Sequence, residues 1–320
     1  MEPGARRWRP PEEQSFLQRL LHWLDILNPS LLLASDGEIK NSIILLDSVA
    51  EPGRDSTHDG KVKEAWNLNL CSVHPDTGNI IPVPFRPPAL LLVAAPLVVG
   101  SFLPHKKVKL ALCWQFIFHL YSAGFNAANG NATSVEKAFP QKQALLCIGA
   151  VSFGACSGAT PQILLSRYSL HKPALQTFFR SLLPVPLHTL LSAFNLAVVR
   201  ATEVDNGIQV VDKDGSVIGV SKTAGAKAIK ETAISRAALI GTTALLPNLV
   251  AWILKRTRFM QRNTFALAPV RVMTAALTFA TMIPVSFSLF PRTGTIMRAD
   301  LEEEIQSSTQ QAELFYNRGL

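Results

Sequence analysis

Residues 232–254 read TAISRAALIGTTALLPNLVAWIL. This stretch carries one charge, Arg236, in 23 positions. That is the pattern of a helix surrounded by hydrocarbon, because the bilayer core takes about 20 mostly apolar residues per crossing. Four more runs have the same character: Leu110 to Ala128 (19 residues), Gln143 to Leu165 (23), Phe178 to Val199 (22) and Phe265 to Phe290 (26). A shorter run, Pro88 to Leu103, has 16 residues and contains Pro96. It reads either as a kinked sixth span or as a helix lying in the interface.

The rest of the composition agrees with that reading. The chain has 320 residues, is 48% hydrophobic and only 17% charged, and has a mean hydropathy of +0.21; an ordinary soluble domain carries about 25% charge. Disorder, a collagen-like fibre and a small disulfide scaffold are excluded. Cys71, Cys113, Cys147 and Cys156 lack paired spacing and read as small hydrophobes. The expected fold is an all-α multispanning membrane protein of five spans, or six if Pro88 to Leu103 crosses, with kinks at the internal prolines. Residues 1–87 form an N-terminal soluble region, 88–290 the bundle with a polar loop at 200–231, and 291–320 an acidic tail.

Connector charge orders the spans. The loops Pro104 to Lys109, Ser166 to Thr177 and Lys255 to Thr264 hold nine Lys/Arg and no acid, whereas Asn129 to Lys142, Arg200 to Glu231 and the tail hold ten Lys/Arg against eleven acids. If the spans alternate, all purely basic connectors share one side, as the positive-inside bias requires. Five spans put the N-terminal region on that basic side; a sixth moves it to the other. The net charge of +8 therefore points to topology and membrane lipid, not to nucleic acid, since no basic patch is interleaved with aromatics.

In the N-terminal region, Phe16 to Leu27, Asp36 to Ala50 and Lys61 to Leu70 read as helices, with an exposed loop at Glu51 to Asp59. Met1 to Gln14 lacks the apolar core of a secretory signal. Ile208 to Val220 alternates about Asp212-Lys213-Asp214-Gly215, a hairpin signal. The two aspartates imitate a calcium loop, but its twelfth position is Thr223 and not Glu.

These residues together resemble the sideroflexin family over Gln14 to Leu320. The resemblance is carried by His74-Pro75-Asp76-Thr77-Gly78, by Phe125-Asn126-Ala127 followed by Asn129-Gly130-Asn131, and by Asn195 near the end of a span. The Gly207 to Gly219 hairpin, Ala224 to Ile229, Leu289-Phe290-Pro291 and the ending Phe315-Tyr316-Asn317-Arg318-Gly319-Leu320 complete it. Three elements depart from the family pattern. Asn79 to Leu92 is Pro-rich, Trp114-Gln115 stands four residues too far upstream of Phe125, and Asn195-Leu196-Ala197 lacks the family's proline. The resemblance implies a multi-pass protein of the mitochondrial inner membrane, its basic loops facing the matrix, that carries a small amino acid. The departures make serine itself doubtful. They are those of a divergent branch, for which the resemblance implies another role: a non-transporting assembly factor for respiratory complex I, partnering its assembly intermediates and linked to iron homeostasis.

For a zwitterionic amino acid the bundle must supply a cation for the carboxylate and amides for orientation. Asn126 and Asn195 can orient, and Arg236 or Arg271 can pair with the carboxylate; no Asp or Glu lies within the five spans. The competing readings are helix–helix hydrogen bonding for the asparagines and snorkelling to the interface for the arginines. His74 to Gly78 reads as a turn that docks the N-terminal region on the bundle, with a gate or a partner contact as the alternative. Ala150, Gly154 and Gly158, spaced by four, form a close-packing stripe used either inside the bundle or between protomers. No metal or cofactor is expected, since His74 and Asp76 stand without a ligand cluster. No nucleotide loop, Gly-x-Ser-x-Gly or His-Glu-x-x-His supports an enzyme.

Overall fold

The structure is a computed structural model and describes residues 14–49, 59–105, 107–132, 141–168 and 172–320. The opening arm before Gln14, the loop 51–58, Lys106 and most of the 129–142 connector lie outside the described residues.

Three helices come first: α1 (Phe16–Ile26), α2 (Asp36–Val49) and α3 (Asp59–Ser72). A capping box starts α1, with Gln18 N–H donating to Ser15 Oγ at 3.3 Å and Ser15 N–H to Gln18 Oε1 at 2.8 Å. A π turn (Leu90–Ala94) leads into α4 (Ala95–Phe102), followed by α5 (Val108–Asn129) and α6 (Gln141–Arg167). Next, α7 (Pro173–Thr177) passes through a second π turn, Phe178–Leu182, into α8 (Pro184–Val199). Both π turns lie just before a proline, Pro96 or Pro184. A proline has no N–H to give the preceding turn, so the ladder widens there, as in Leu183 N–H to Phe178 O at 2.9 Å.

The short α9 (Thr202–Asp205) precedes β1 (Ile208–Val211), β2 (Val217–Ser221) and the 33-residue α10 (Lys222–Leu254). The chain ends with α11 (Arg258–Arg262), α12 (Leu267–Ser288), β3 (Thr293–Met297), α13 (Glu303–Ser308) and β4 (Glu313–Asn317). Within the bundle α10 packs between α8 and α12, and α6 packs against α5 and α8.

Among the described residues, four stretches are long and apolar enough to cross a membrane: 143–167, 174–199, 222–254 and 267–288. These match four of the five expected spans. The fifth, α5, has 22 residues but turns Gln115, His119, Asn126 and Asn129 into the interior. The short run at Leu90–Phe102 lies antiparallel to α5. One end meets it where Asn129 Nδ2 donates to Phe85 O at 2.8 Å, and the other where Gln115 Nε2 donates to Ser101 O at 2.9 Å.

This pairing places the N-terminal region. His74 Nε2 lies 2.8 Å from Gly130 O, and Leu320 N–H donates to Asn129 O at 3.0 Å. The turn at His74, the 129–132 connector and the C-terminus thus meet at one end of the bundle. Residues 14–87 share the end of the mixed connectors, as the six-crossing alternative required, and not that of the basic loops. Part of their core is shared with the bundle: Trp23 and Ile26 are buried in one cluster with Phe287 and Leu320.

The hairpin forms as the sequence leads one to expect. Asp212 Oδ1 accepts from Asp214 N–H at 2.9 Å and Ser216 N–H at 2.8 Å, and Gly215 takes φ 81°. Two features differ. The tail is not free, because β3 and β4 extend the hairpin into a four-stranded antiparallel sheet of order β2-β1-β4-β3. The helix expected from Thr232 starts ten residues earlier, at Lys222. At 1.5 Å per residue α10 runs about 50 Å, beyond the hydrocarbon thickness of about 30 Å. Its first turns project from the bundle, where Ala224 and Ala228 pack under Ile208, Val210, Leu314 and Tyr316 of the sheet.

Glu302 holds the start of α10, its Oε1 accepting from the N–H groups of Lys222 at 2.8 Å and Thr223 at 3.1 Å. Desolvation raises its pKa, but hydrogen bonds from Ser221, Thr223 and Lys222 outweigh this and hold the carboxyl below its ordinary 4.5. A depressed carboxyl contributes stability above its unfolded pKa and loses it as pH falls through the folded value. Glu302→Gln should therefore melt below the wild type at pH 7, and the gap should close as pH falls below about 4. A constant gap in detergent melts down to pH 3 would refute the assignment.

Candidate functional site

The polar residues of α5 recur at helical spacing, so Gln115, His119, Ser122 and Asn126 share one face. On α8 the same spacing puts His188, Ser192 and Asn195 on the face opposite. Asn126 Nδ2 donates to Asn195 Oδ1 at 3.4 Å, and Asn195 Nδ2 to His119 O at 3.4 Å. From α10, Arg236 reaches the same point, its guanidinium 4.9 Å from the centre of the Phe125 ring and 5.0 Å from that of Phe287. His119, Asn126, Asn195 and Arg236 surround a cavity of about 40 Å³, closed by Phe118, Tyr121 and Phe279. That is room for a few waters.

The cavity is short of acceptors. Among the described residues neither nitrogen of His119 has a protein hydrogen-bond partner, nor does Arg236 Nη2, and all three are buried. Among the same residues no Asp or Glu lines the space. Buried donors of this kind normally find partners, and the two phenyl faces meet only part of the guanidinium's demand. A carboxylate is the group that satisfies Arg236 best, since bidentate pairing matches its planar fork. The bare histidine nitrogens and the ring faces suit an ammonium.

Beside the cavity lies a second polar pair. His188 Nδ1 is 2.8 Å from Pro184 O, a pure acceptor, so the proton sits on Nδ1. His188 Nε2 is then the acceptor for Gln115 Nε2 at 2.9 Å, joining α8 to α5. The small-residue stripe explains how α6 closes on this layer. A Cβ at Gly154 would stand 2.8 Å from the His119 ring, and one at Gly158 2.4 Å from Gln115 Oε1. Ala150 is buried as well, so in this chain the stripe faces α5.

Arg271 does not join the other three named residues. It lies in the first turns of α12, at the opposite end from Ser288, within electrostatic reach of Arg180. The His74 to Gly78 segment is a turn seated on the 130–132 connector. His74 Nδ1 accepts from the N–H groups of Asp76 at 3.2 Å and Thr77 at 3.4 Å, so Nε2 carries the proton given to Gly130 O. Asp76 Oδ2 accepts from Ala132 N–H at 2.8 Å, and Gly78 closes the turn at φ 70°.

One polar cluster was missed in the sequence. Arg200 and Glu203 are both about 1% exposed, and Arg200 Nη2 donates to Glu203 Oε2 at 2.8 Å and to Arg318 O at 2.7 Å. Asn131 donates to both Glu203 oxygens, and Arg318 Nη1 reaches Ser235 Oγ at 3.4 Å. The Arg-x-x-Glu spacing was the available signal, hidden by reading 200–231 as a polar loop.

A bundle of helices long and apolar enough to cross a membrane, with Arg236 beside a small cavity between them, defines a multispanning membrane protein. The sideroflexin family model matches residues 3–320, and this chain belongs to the sideroflexins. It is 49% identical to sideroflexin-4 of Danio rerio, with all of both chains covered, and 38% identical to sideroflexin-4 of Homo sapiens, with all of this chain and 93% of that one covered. Sideroflexin-5 of Caenorhabditis elegans is 32% identical, over 96% of this chain and 93% of its own. No solved structure matches the chain.

Proposed function

We propose that this sideroflexin is a carrier for a small zwitterionic amino acid in the mitochondrial inner membrane. The observation that carries the reading is the chamber, where Arg236 Nη2 and both His119 nitrogens lie buried without protein partners beside the Asn126–Asn195 pair. The substrate carboxylate meets Arg236, its ammonium the imidazole and ring faces, and the asparagines select its orientation. The closed cavity is then the occluded form, and α8 must move from α5 to admit a substrate. The family resemblance and the segregation of charge support the inner membrane, with basic loops toward the matrix, as its place. Saturable uptake of a small amino acid into liposomes containing the purified protein is the test. Asn126→Ala and Asn195→Leu should each reduce it at least tenfold while the protein stays monodisperse. Uptake equal to empty liposomes across a panel of small amino acids would overturn the reading.

One observation favours a second reading, an assembly factor for respiratory complex I with a link to iron homeostasis. A cavity of about 40 Å³ holds no amino acid without a rearrangement, so the scaffold can have outlived transport. Co-purification with complex I intermediates supports it, and unchanged complex I levels in cells lacking the protein refute it.

A further inference from the structure

The first helix has three sectors, of which the bundle and water account for two. Trp23 and Ile26 are buried, and Arg19 Nε donates to Ser288 O at 2.9 Å, fixing α1 against the end of α12. Gln18 and Asp25 are exposed and polar. Between these sectors Leu17, Leu21 and Leu24 stand at i, i+4 and i+7, exposed by 61%, 57% and 51%. Leu33 in the turn that follows, 86% exposed, and Ile44 of α2, 65% exposed, are further apolar side chains left bare in this region. Such a contiguous apolar face on a helix with a polar flank marks a surface that meets something apolar.

The geometry identifies what that is. A groove of about 1160 Å³ runs between the N-terminal helices and the bundle, its lining mixing Leu24, Leu31, Leu91 and Ile283 with the charged Asp25, Glu38, Lys63 and Glu64. Met273 and Leu277, on the α12 helix that also lines the groove, are exposed by 69% and 67%, and that helix is long and apolar enough to cross a membrane. The groove thus adjoins a spanning helix. Its floor, Ala280 to Pro284, lies four to eight residues before Ser288, about 6–12 Å below the end of α12. Amphipathic helices that lie in a bilayer interface sink about 5–10 Å.

We infer that α1 and the 29–33 turn are seated in the bilayer interface, with phospholipid acyl chains of the surrounding leaflet against Leu17, Leu21, Leu24 and Leu33, and with the groove behind them, where Asp25 lies, open to water. The N-terminal region is then a membrane-embedded collar, not a soluble domain. This inference does not rest on transport.

The test uses full-length protein with Cys113, Cys147 and Cys156 changed to Ala and the buried Cys71 left in place. Leu21→Cys or Asp25→Cys is then spin-labelled in vesicles of phosphatidylcholine with one-fifth phosphatidylglycerol. Oxygen should collide with the label at 21 more often than a water-soluble nickel chelate does, and the order should reverse at 25. Nickel reaching position 21 as freely as 25 overturns the inference and leaves the face to a protein partner or a second copy. Because labelling can disturb the fold, the unsubstituted protein is also photo-cross-linked with a diazirine-acyl phosphatidylcholine. Adducts on peptides covering 17–33 support the collar, and adducts confined to the spans refute it.

Discussion

Glu203→Ala should lower the unfolding midpoint of the purified protein by on the order of 10 °C, the largest effect of any single side chain outside the chamber. Arg200 and Glu203 are each about 1% exposed. Removing one member of a buried ion pair leaves the other charged without compensation and costs about 3–5 kcal/mol. Here the loss spreads, because Glu203 also accepts from Asn131 and Arg200 also holds Arg318 O. The carboxylate therefore joins the connector after α5, the end of α8 and the C-terminal strand. Arg200→Met/Glu203→Leu should recover much of the loss, since apolar replacement of both partners removes the desolvation cost together with the attraction. Melting curves of the three variants in one detergent decide the matter. A Glu203→Ala midpoint within 2 °C of wild type would show that the pair does not hold these segments together.

The second large effect concerns the C-terminus. Deletion of residues 313–320 should abolish the folded protein, although a trimmed acidic tail would ordinarily be harmless. Strand β4 lies inside the sheet, between β1 and β3, so its loss leaves β3 with no partner and strips β1 of one of its two. It also removes the fully buried Leu314 and Tyr316, together with Phe315 and Leu320, 5% and 4% exposed. At about 1.5–3 kcal/mol for each large apolar side chain, the loss is on the order of 6–12 kcal/mol, the size of a whole protein's stability. Fluorescence-detected gel filtration of the solubilised protein should show aggregate in place of a symmetric peak. Wild-type elution and melting would mean that the sheet does not depend on its last strand.

Much of the fold is legible in the chain itself. Spanning helices are local objects: 20-odd apolar residues with polar ends need no knowledge of their neighbours, so all five expected spans match helices to within a few residues, apart from the early start of α10. The Asp212 to Gly215 turn is local too, and it forms where its residue types require. Asn126, Asn195 and Arg236 could be named because a polar group inside a hydrocarbon run is conspicuous. His119 stood in the same runs, and only the structure shows that it faces the same cavity. Arg271 was equally conspicuous, yet it lies toward the other end of the bundle. Position along a span gives depth, and it does not give the neighbour across the bundle.

Composition, periodicity and connector charge alone determine that this protein threads a membrane with its basic loops at one end, because hydrophobic length and charge placement act residue by residue. Tertiary structure decided the rest. It put the N-terminal helices at the end of the mixed connectors, turned the tail into the inner strand of a sheet, and buried Arg200 against Glu203 and Arg318. Each of these depends on groups tens to hundreds of positions apart. Their pairing is set by which helices pack together, and no local pattern encodes it.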